Sequence, residues 1–356
     1  LADKLKFAFY WAASCGGCEV AVLDIDEKIL DVAEIADIVF WPVALDFKVK
    51  DVEAMDDGSI DVCFFNGAIR NSEQEHIAKL LRQKSGALVA FGACAVLGGI
   101  PGLANFHHRK SIFDRVYSET ESTVNPDGKR PKTTFAVAEG DLYLPEFYNT
   151  VVRLEDVVEV DYYMPGCPPT PEMILEAVTA IAEGKLPPKG ATFGNIKTVC
   201  DTCERKKEEK KVKGFKRIHE AVDVDPEKCF LEQGIICAGS VTRDGCGARC
   251  LDANMPCRGC FGPADDVVDQ GAQLVSTIAT LLETDDLKEI EEAMAALPDL
   301  AGYAYRFSLP DSLLRRTVVD ELEESKGGPT GGPAGGPKKG PDDDDRGGGK
   351  KGVAAE

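Results

Sequence analysis

The stretch WAASCGGCEV at residues 11–20 sets Cys15 and Cys18 three positions apart. A C-x2-C turn of this kind can hold zinc, act as a dithiol redox pair, or supply two of the four thiolates of an iron–sulfur cubane. Gly16 and Gly17 let backbone N–H groups approach the sulfurs, and a helix starting after Cys18 points its positive end at an anionic group. Eleven further cysteines follow, at 63, 94, 167, 200, 203, 229, 237, 246, 250, 257 and 260. Five of the thirteen are spread over the first 199 residues and eight crowd into the next 61, which implies two kinds of site. With no export signal in view, disulfides explain them poorly and metal explains them well.

The elements that must position these thiols read as a strand–helix alternation. LKFAFYWA at 5–12 is a strand, and EVAVLDIDEKILDVAEIA from Glu19 has helical apolar spacing at Val22, Ile25, Ile29 and Val32. Further strands fit 37–44 and 60–69, and a helix over NSEQEHIAKLLRQKS starts with a capping box of Ser72 and Glu75. GALVAFGACAVLGG at 86–99 is a fourth strand running into a glycine-rich loop with Cys94. VVEVDYYMPGCPPTPEMILEAVTAIAEG at 157–184 supplies a fifth, a loop with Cys167 and another helix. This order predicts an α/β fold with a doubly wound parallel sheet. Cys15, Cys18, Cys94 and Cys167 then all follow C-terminal strand ends and share one sheet edge, so four thiolates scattered over 153 positions can converge on one point. Pro165 and Pro168 stiffen the Cys167 loop. Cys63 lies within a strand and reads as a small buried hydrophobe.

From about residue 186 periodicity fades and the chain becomes loop-rich, with eight cysteines, few helices, and two helical segments after 266 that cover it. The expected domains are 1–185, 186–325 and a Gly/Pro/Asp-rich tail at 326–356, read as disordered. Two structural zincs are a serious rival for the eight late thiols. Arithmetic favours iron: thirteen cysteines less Cys63 leave three sets of four, and electron relays need several clusters in company.

Composition narrows the partners. Lys and Arg total 41 against 61 Asp and Glu, a net charge of −20 that repels nucleic acid, and 44% hydrophobic residues support a sizeable core. No apolar run is long enough for a membrane span, and the start LADKLKFAFYWAASCGG lacks a secretory or twin-arginine signal, so the chain is read as cytoplasmic. No glycine loop has the order or the lysine needed for nucleotide binding.

Taken together, CGGCE, GACA, PGCPP and PCRGCFGP resemble, in order and spacing, the cluster motifs of the small subunit of nickel–iron hydrogenases, over about residues 5–320. The resemblance implies a flavodoxin-like first domain with a proximal 4Fe–4S cluster on Cys15, Cys18, Cys94 and Cys167. It implies a medial cluster on Cys246, Cys250, Cys257 and Cys260, and a distal one on Cys200, Cys203, Cys229 and Cys237. The membrane-bound uptake enzymes carry histidine where Cys200 stands and proline near Cys250. Thiolates at both places add negative charge and lower the expected potentials. That, and YAYRFSLPDSLLRR near the end, makes the chain most like the cytoplasmic methyl-viologen-reducing, deazaflavin-non-reducing branch.

The function this implies is electron transfer from dihydrogen oxidation, at a nickel–iron centre in a partner large subunit, to a cytoplasmic acceptor. The acceptor would be an iron–sulfur or flavin subunit of the heterodisulfide-reductase type. No catalytic residue is expected in this chain, which would be inactive alone. A docking face for the large subunit is expected around the Cys15–Cys18, Cys94 and Cys167 loops, including Val96 and Leu97. The alternatives are a non-catalytic zinc or iron–sulfur scaffold and a hydrogen-sensing subunit. Glu19 reads equally as a proton relay and as a carboxylate favoured by a helix start. His107 and His108 read as surface or interface residues. ERKKEEKKVKG at 204–214 reads as a solvated run that could border an acceptor's docking surface.

Overall fold

A computed structural model describes residues 4–314 except 209 and 298, so the expected tail at 326–356 lies outside the described residues. In chain order, β1 (Leu5–Trp11) leads to α1 (Gly17–Leu23), α2 (Lys28–Ile35), β2 (Ala36–Phe40) and α3 (Val49–Glu53). Then come β3 (Ile60–Asn66), β4 (Ile69–Asn71), α4 (Ser72–Lys84), β5 (Ser85–Phe91), α5 (Ala93–Leu97) and α6 (Arg109–Asp114). A hairpin of β6 (Thr134–Val137) and β7 (Gly140–Tyr143) precedes β8 (Phe147–Val152), β9 (Tyr162–Met164) and α7 (Pro171–Ala182).

Five strands form one parallel sheet in the order β2-β1-β3-β5-β9, which is the 2-1-3-4-5 order of flavodoxin-like folds. Side chains alternate between its faces. Phe7, Phe9, Phe64 and Phe91 pack with α1, α2 and α7 on one side; Ala8, Cys63, Phe65 and Leu88 pack with α4 on the other. Both faces are therefore covered, as a parallel sheet requires.

Several local expectations shift. The helix expected from Glu19 breaks at residues 24–27, where Asp26 takes φ 54°, and resumes as α2. The strands expected over 37–44 and 60–69 end at Phe40 and Asn66. The capping box of α4 is Asn71 with Gln74, one residue earlier than Ser72 with Glu75. The reason is that both expected residues are engaged elsewhere. Ser72 Oγ accepts from the Glu146 amide at 2.9 Å, and buried Glu75 accepts from the Tyr148 hydroxyl and from Lys79. Cys94 sits on the short helix α5 rather than in a loop.

The later part contains α8 (Val199–Thr202), α9 (Arg249–Asp252), α10 (Gln270–Leu281), α11 (Leu287–Ala295) and α12 (Leu300–Ala304). They surround a separate core that includes Val199, Phe230, Ile235, Leu274 and Ile278. After α12 the chain returns to the first unit. Phe307 packs on Ala93 and Leu97, the Gly99 amide donates to Phe307 O, and Arg153 pairs with Asp311. Pro310 lies against Gly98 and Gly102, where a Cβ on either glycine would overlap its ring. Among the described residues no helix is long and apolar enough to cross a membrane.

Candidate cluster-binding sites

The first thiol group is assembled by three strand ends. β1 ends at Trp11, and the Ala12 amide donates to Asn66 O, which fixes the turn that carries Cys15 and Cys18 beside β3. β5 ends at Phe91 and passes through Gly92 into α5 with Cys94. β9 ends at Met164 and leads to Cys167. These last two loops are laced together, since Gly92 N donates to Met164 O and Ala93 N to Gly166 O.

The four sulfurs lie close enough to act on one another electrostatically. Burial, reinforced by Cys167 and Cys15, pushes the Cys94 thiol up to about 12. Burial, then Cys94, Cys167 and Cys15, pushes Cys18 up further, and burial with Cys15 raises Cys167. These groups could share this sheltered place as thiolates only around a cationic centre that offsets their repulsion and their burial. The backbone leaves space for one: a Cβ at Gly92 would overlap Cys18 Sγ, and one at Gly99 would stand 2.6 Å from Cys94 Sγ. Cys63 is 0% exposed within β3, on the opposite face, and takes no part.

The eight late cysteines form two adjoining groups. Cys200, raised to about 11 by burial, feels Cys229 and Cys203, and fully buried Cys237 feels Cys257 and Cys200. Cys257, raised to about 12 chiefly by burial, feels Cys246 and Cys250, while Cys260 feels Cys257, Cys167 and Cys246. Cys260 also packs against Ala93 and Leu97, so the second group abuts the first. Gly239 makes room in the other: a Cβ there would stand 3.2 Å from Cys200 Sγ and 3.7 Å from Cys237 Sγ. Among the described residues no three Cys, His, Asp or Glu side chains are placed to hold a single metal ion. Sets of thiols with glycines beside the sulfurs fit four-iron clusters.

Glu19 is buried, and its Oε2 accepts from Trp41 Nε1–H at 2.5 Å. Burial holds its carboxyl above the usual range despite that bond. His107 is exposed, but His108 is buried rather than at the surface, because its Nδ1 caps α6 by accepting from the Lys110 amide at 3.0 Å. Val96 is half-buried, whereas Leu97 lies under Phe307 and Gly262, which removes it from the exposed face where the sequence reading placed it. Exposed apolar side chains do stand at this edge: Trp11 at the end of β1 at 40%, Val20 on α1, Ile100 at 47%, and Val43 and Leu45 after β2. Sequence reasoning overlooked Trp41 and Asn66, both buried at strand ends beside the first group, and Arg205 beside the late groups. Only Trp41, one of two tryptophans, carried any signal in its residue type.

A family model described as NADH ubiquinone oxidoreductase, 20 Kd subunit, matches residues 15–181, ahead of all eight late cysteines. The iron-sulfur subunit of an F420-non-reducing hydrogenase of Archaeoglobus profundus is 42% identical over 318 residues, which span 88% of this chain and 98% of that protein. A subunit of the vhu F420-non-reducing hydrogenase of Methanocaldococcus jannaschii is 39% identical over 312 residues, 88% of this chain and 97% of its own. A chain of the crystal structure of an NAD+-reducing NiFe-hydrogenase in the H2-reduced state is 30% identical, with a TM-score of 0.45 over 52% of this chain and 94% of that one.

Proposed function

Since the chain belongs to the family of F420-non-reducing hydrogenase iron–sulfur subunits, electron-transferring small subunits of nickel–iron hydrogenases, we propose that it holds three 4Fe–4S clusters in series. The proximal set is Cys15, Cys18, Cys94 and Cys167; the medial set is Cys246, Cys250, Cys257 and Cys260; the distal set is Cys200, Cys203, Cys229 and Cys237. The carrying observation is the convergence of four cysteines from three strand ends on one sheet edge, with Gly92 and Gly99 leaving the room that a cluster needs.

When bound, such clusters accept and release single electrons. The protein's own part is placement. The loops around Cys94 and Cys167 are hydrogen-bonded to each other, and Cys260 of the medial set packs on α5, which carries Cys94. Cys237 and Cys257 lie at the contact between the medial and distal sets. Proximal, medial and distal sets therefore stand in a continuous order.

The nickel–iron centre belongs to the large subunit, which docks on the edge bearing Trp11, Val43 and Ile100, an apolar face suited to a permanent partner. At the far end, Lys207 Nζ donates to Cys200 O at 2.8 Å. Lys210, Lys211, Lys213 and Lys216 line a groove of about 700 Å3 beyond it. A cytoplasmic acceptor, an iron–sulfur or flavin subunit of the heterodisulfide-reductase type, docks beside this groove.

Metal analysis of anaerobically purified protein tests the reading. About twelve irons and twelve acid-labile sulfides per chain are expected; two zincs in place of the late clusters overturn it. Dihydrogen-dependent viologen reduction is expected from the complex with the large subunit and not from this chain alone.

A further inference from the structure

Arg205 is 9% exposed and two residues beyond Cys203. Its Nη1 donates to the carbonyls of Asp225 and Lys228 at 3.1 and 3.0 Å, and Lys228 immediately precedes Cys229. Its Nη2 donates to Leu251 O at 3.1 Å and to Asn254 Oδ1 at 2.7 Å, and Leu251 immediately follows Cys250. The guanidinium Cζ lies 3.9 Å from the centroid of the Phe230 ring. One cation thus spans the loops of the two late cysteine groups.

Every acceptor it has is neutral. Among the described residues no carboxylate pairs with it, and its Nε–H finds no acceptor. Carbonyl dipoles and a ring face recover only part of the hydration that a buried cation loses, so an opposite charge belongs nearby. A four-thiolate iron–sulfur cluster is such a charge: the thiolates outweigh the positive iron–sulfide core, and each one-electron reduction adds one further negative charge.

We propose that Arg205 is a fixed counter-charge shared by the medial and distal clusters, raising the reduction potentials of both, with its unspent Nε–H as a donor to cluster sulfur. This rests on the reading of the two late groups as four-iron sites. Net charge and hydrogen bonds to sulfur are the protein's main controls on such potentials, and a charge in a dry interior acts over a long range. Reduction is favoured because the electron arrives next to a cation. The effect opposes the lowering expected from thiolates at Cys200 and Cys250, and it falls on two clusters from one residue.

The test uses the complex with the large subunit and reads midpoint potentials by redox titration followed with electron paramagnetic resonance. Arg205→Met keeps the apolar stem and removes the charge; Arg205→Lys keeps a charge and loses the four-way hydrogen bonding. The Met variant is expected to lower the medial and distal potentials by at least tenfold in the reduction equilibrium, about 59 mV for a one-electron couple. The proximal cluster should stay put, and the Lys variant, which keeps the charge and loses the Nε–H donor, should fall between the parent and the Met variant. Unmoved potentials in the Met variant, or equal shifts in both variants, overturn the proposal and leave Arg205 a loop staple.

A variant that loses iron is replaced by a measurement on the parent complex. With arginine labelled with 15N in the guanidinium group alone, pulsed resonance on the reduced late clusters should show coupling to a guanidinium nitrogen, and its absence overturns the proposal. Iron content separates the two failures. Fewer than three clusters in the parent defeats the cluster reading, whereas twelve irons with unmoved potentials defeats only the role of Arg205.

Discussion

The backbone N–H of Cys257 donates to Cys237 Sγ at 3.3 Å, and the Ala238 amide returns a bond to Cys257 O at 2.9 Å. A cysteine of the proposed medial set is thereby hydrogen-bonded to one of the proposed distal set. Any substitution that widens this seam should register in the spectra of the clusters before it registers in stability.

Gly239→Ala tests the seam. Its backbone is not in the left-handed region, so alanine brings no conformational strain, but the new Cβ would stand 3.2 Å from Cys200 Sγ. The variant should fold with a loss of about 1 kcal/mol or less and show an altered paramagnetic spectrum for the distal cluster. Gly214→Ala, where a Cβ meets nothing within 4 Å, should leave the spectrum unchanged. Identical spectra for both variants would remove Gly239 from the cradle.

Cys94→Ser and Cys63→Ser should separate cleanly. Serine at 94 weakens one corner of the proximal set, and up to four of about twelve irons should be lost together with transfer from the large subunit. Serine at 63 enters a dry β-strand facing α4 and should cost on the order of 1–2 kcal/mol in unfolding experiments, with full iron content. Loss of iron from the Cys63 variant would show that the thiol assignment is wrong.

Asp161 contributes to the pH dependence of stability from inside the fold. It is 2% exposed, with Lys189 and Arg82 on its oxygens and the Leu88 amide donating to it at 2.8 Å. Burial alone would raise its carboxyl, but the Lys189, Arg82 and Leu88 hydrogen bonds outweigh it and hold it below the ordinary value. The sign follows from linkage: the stabilisation is complete above the unfolded value of about 3.9 and is lost as pH falls through the lower folded value. Asp161→Asn should lose on the order of 3 kcal/mol at neutral pH and flatten the acid limb of denaturant-monitored stability. An unchanged acid limb would place the dependence elsewhere. Because Asp161 ties β9 to β5, the variant should also loosen the strand that delivers Cys167.

Charge on the docking edge should act on assembly alone. Ile100→Glu or Val43→Glu should reduce capture of the large subunit at least tenfold while iron content stays at the parent level. Leu97→Glu should instead lower folding stability, since Phe307 and Gly262 cover that side chain. Normal assembly of the Ile100 and Val43 variants would move the interface off this edge.

The residue types alone carried much of this protein. Strand–helix alternation announced a doubly wound sheet, and in such a sheet Cys15, Cys18, Cys94 and Cys167 share one edge, because parallel strands bring their C-terminal ends together there, while the strand order β1-β3-β5-β9 decides which of them are neighbours. Cys63 was legible as core from its place inside an apolar strand. The pairing of β4 with β8, by contrast, joins Ile69 to Val152, and no local pattern announces a partner so far along the chain. The choice of Asn71 over Ser72 as a cap depended on Glu146 and Tyr148, which local sequence cannot see. The return of Phe307, Pro310 and Asp311 onto the first unit follows from shape, since Gly98 and Gly102 leave a slot that a proline ring fills. Arg205 shows the same division most sharply. In sequence it is one charge in a run of charges; in the fold it is desolvated between two thiol groups, because burial and neighbourhood are properties of packing and not of residue type.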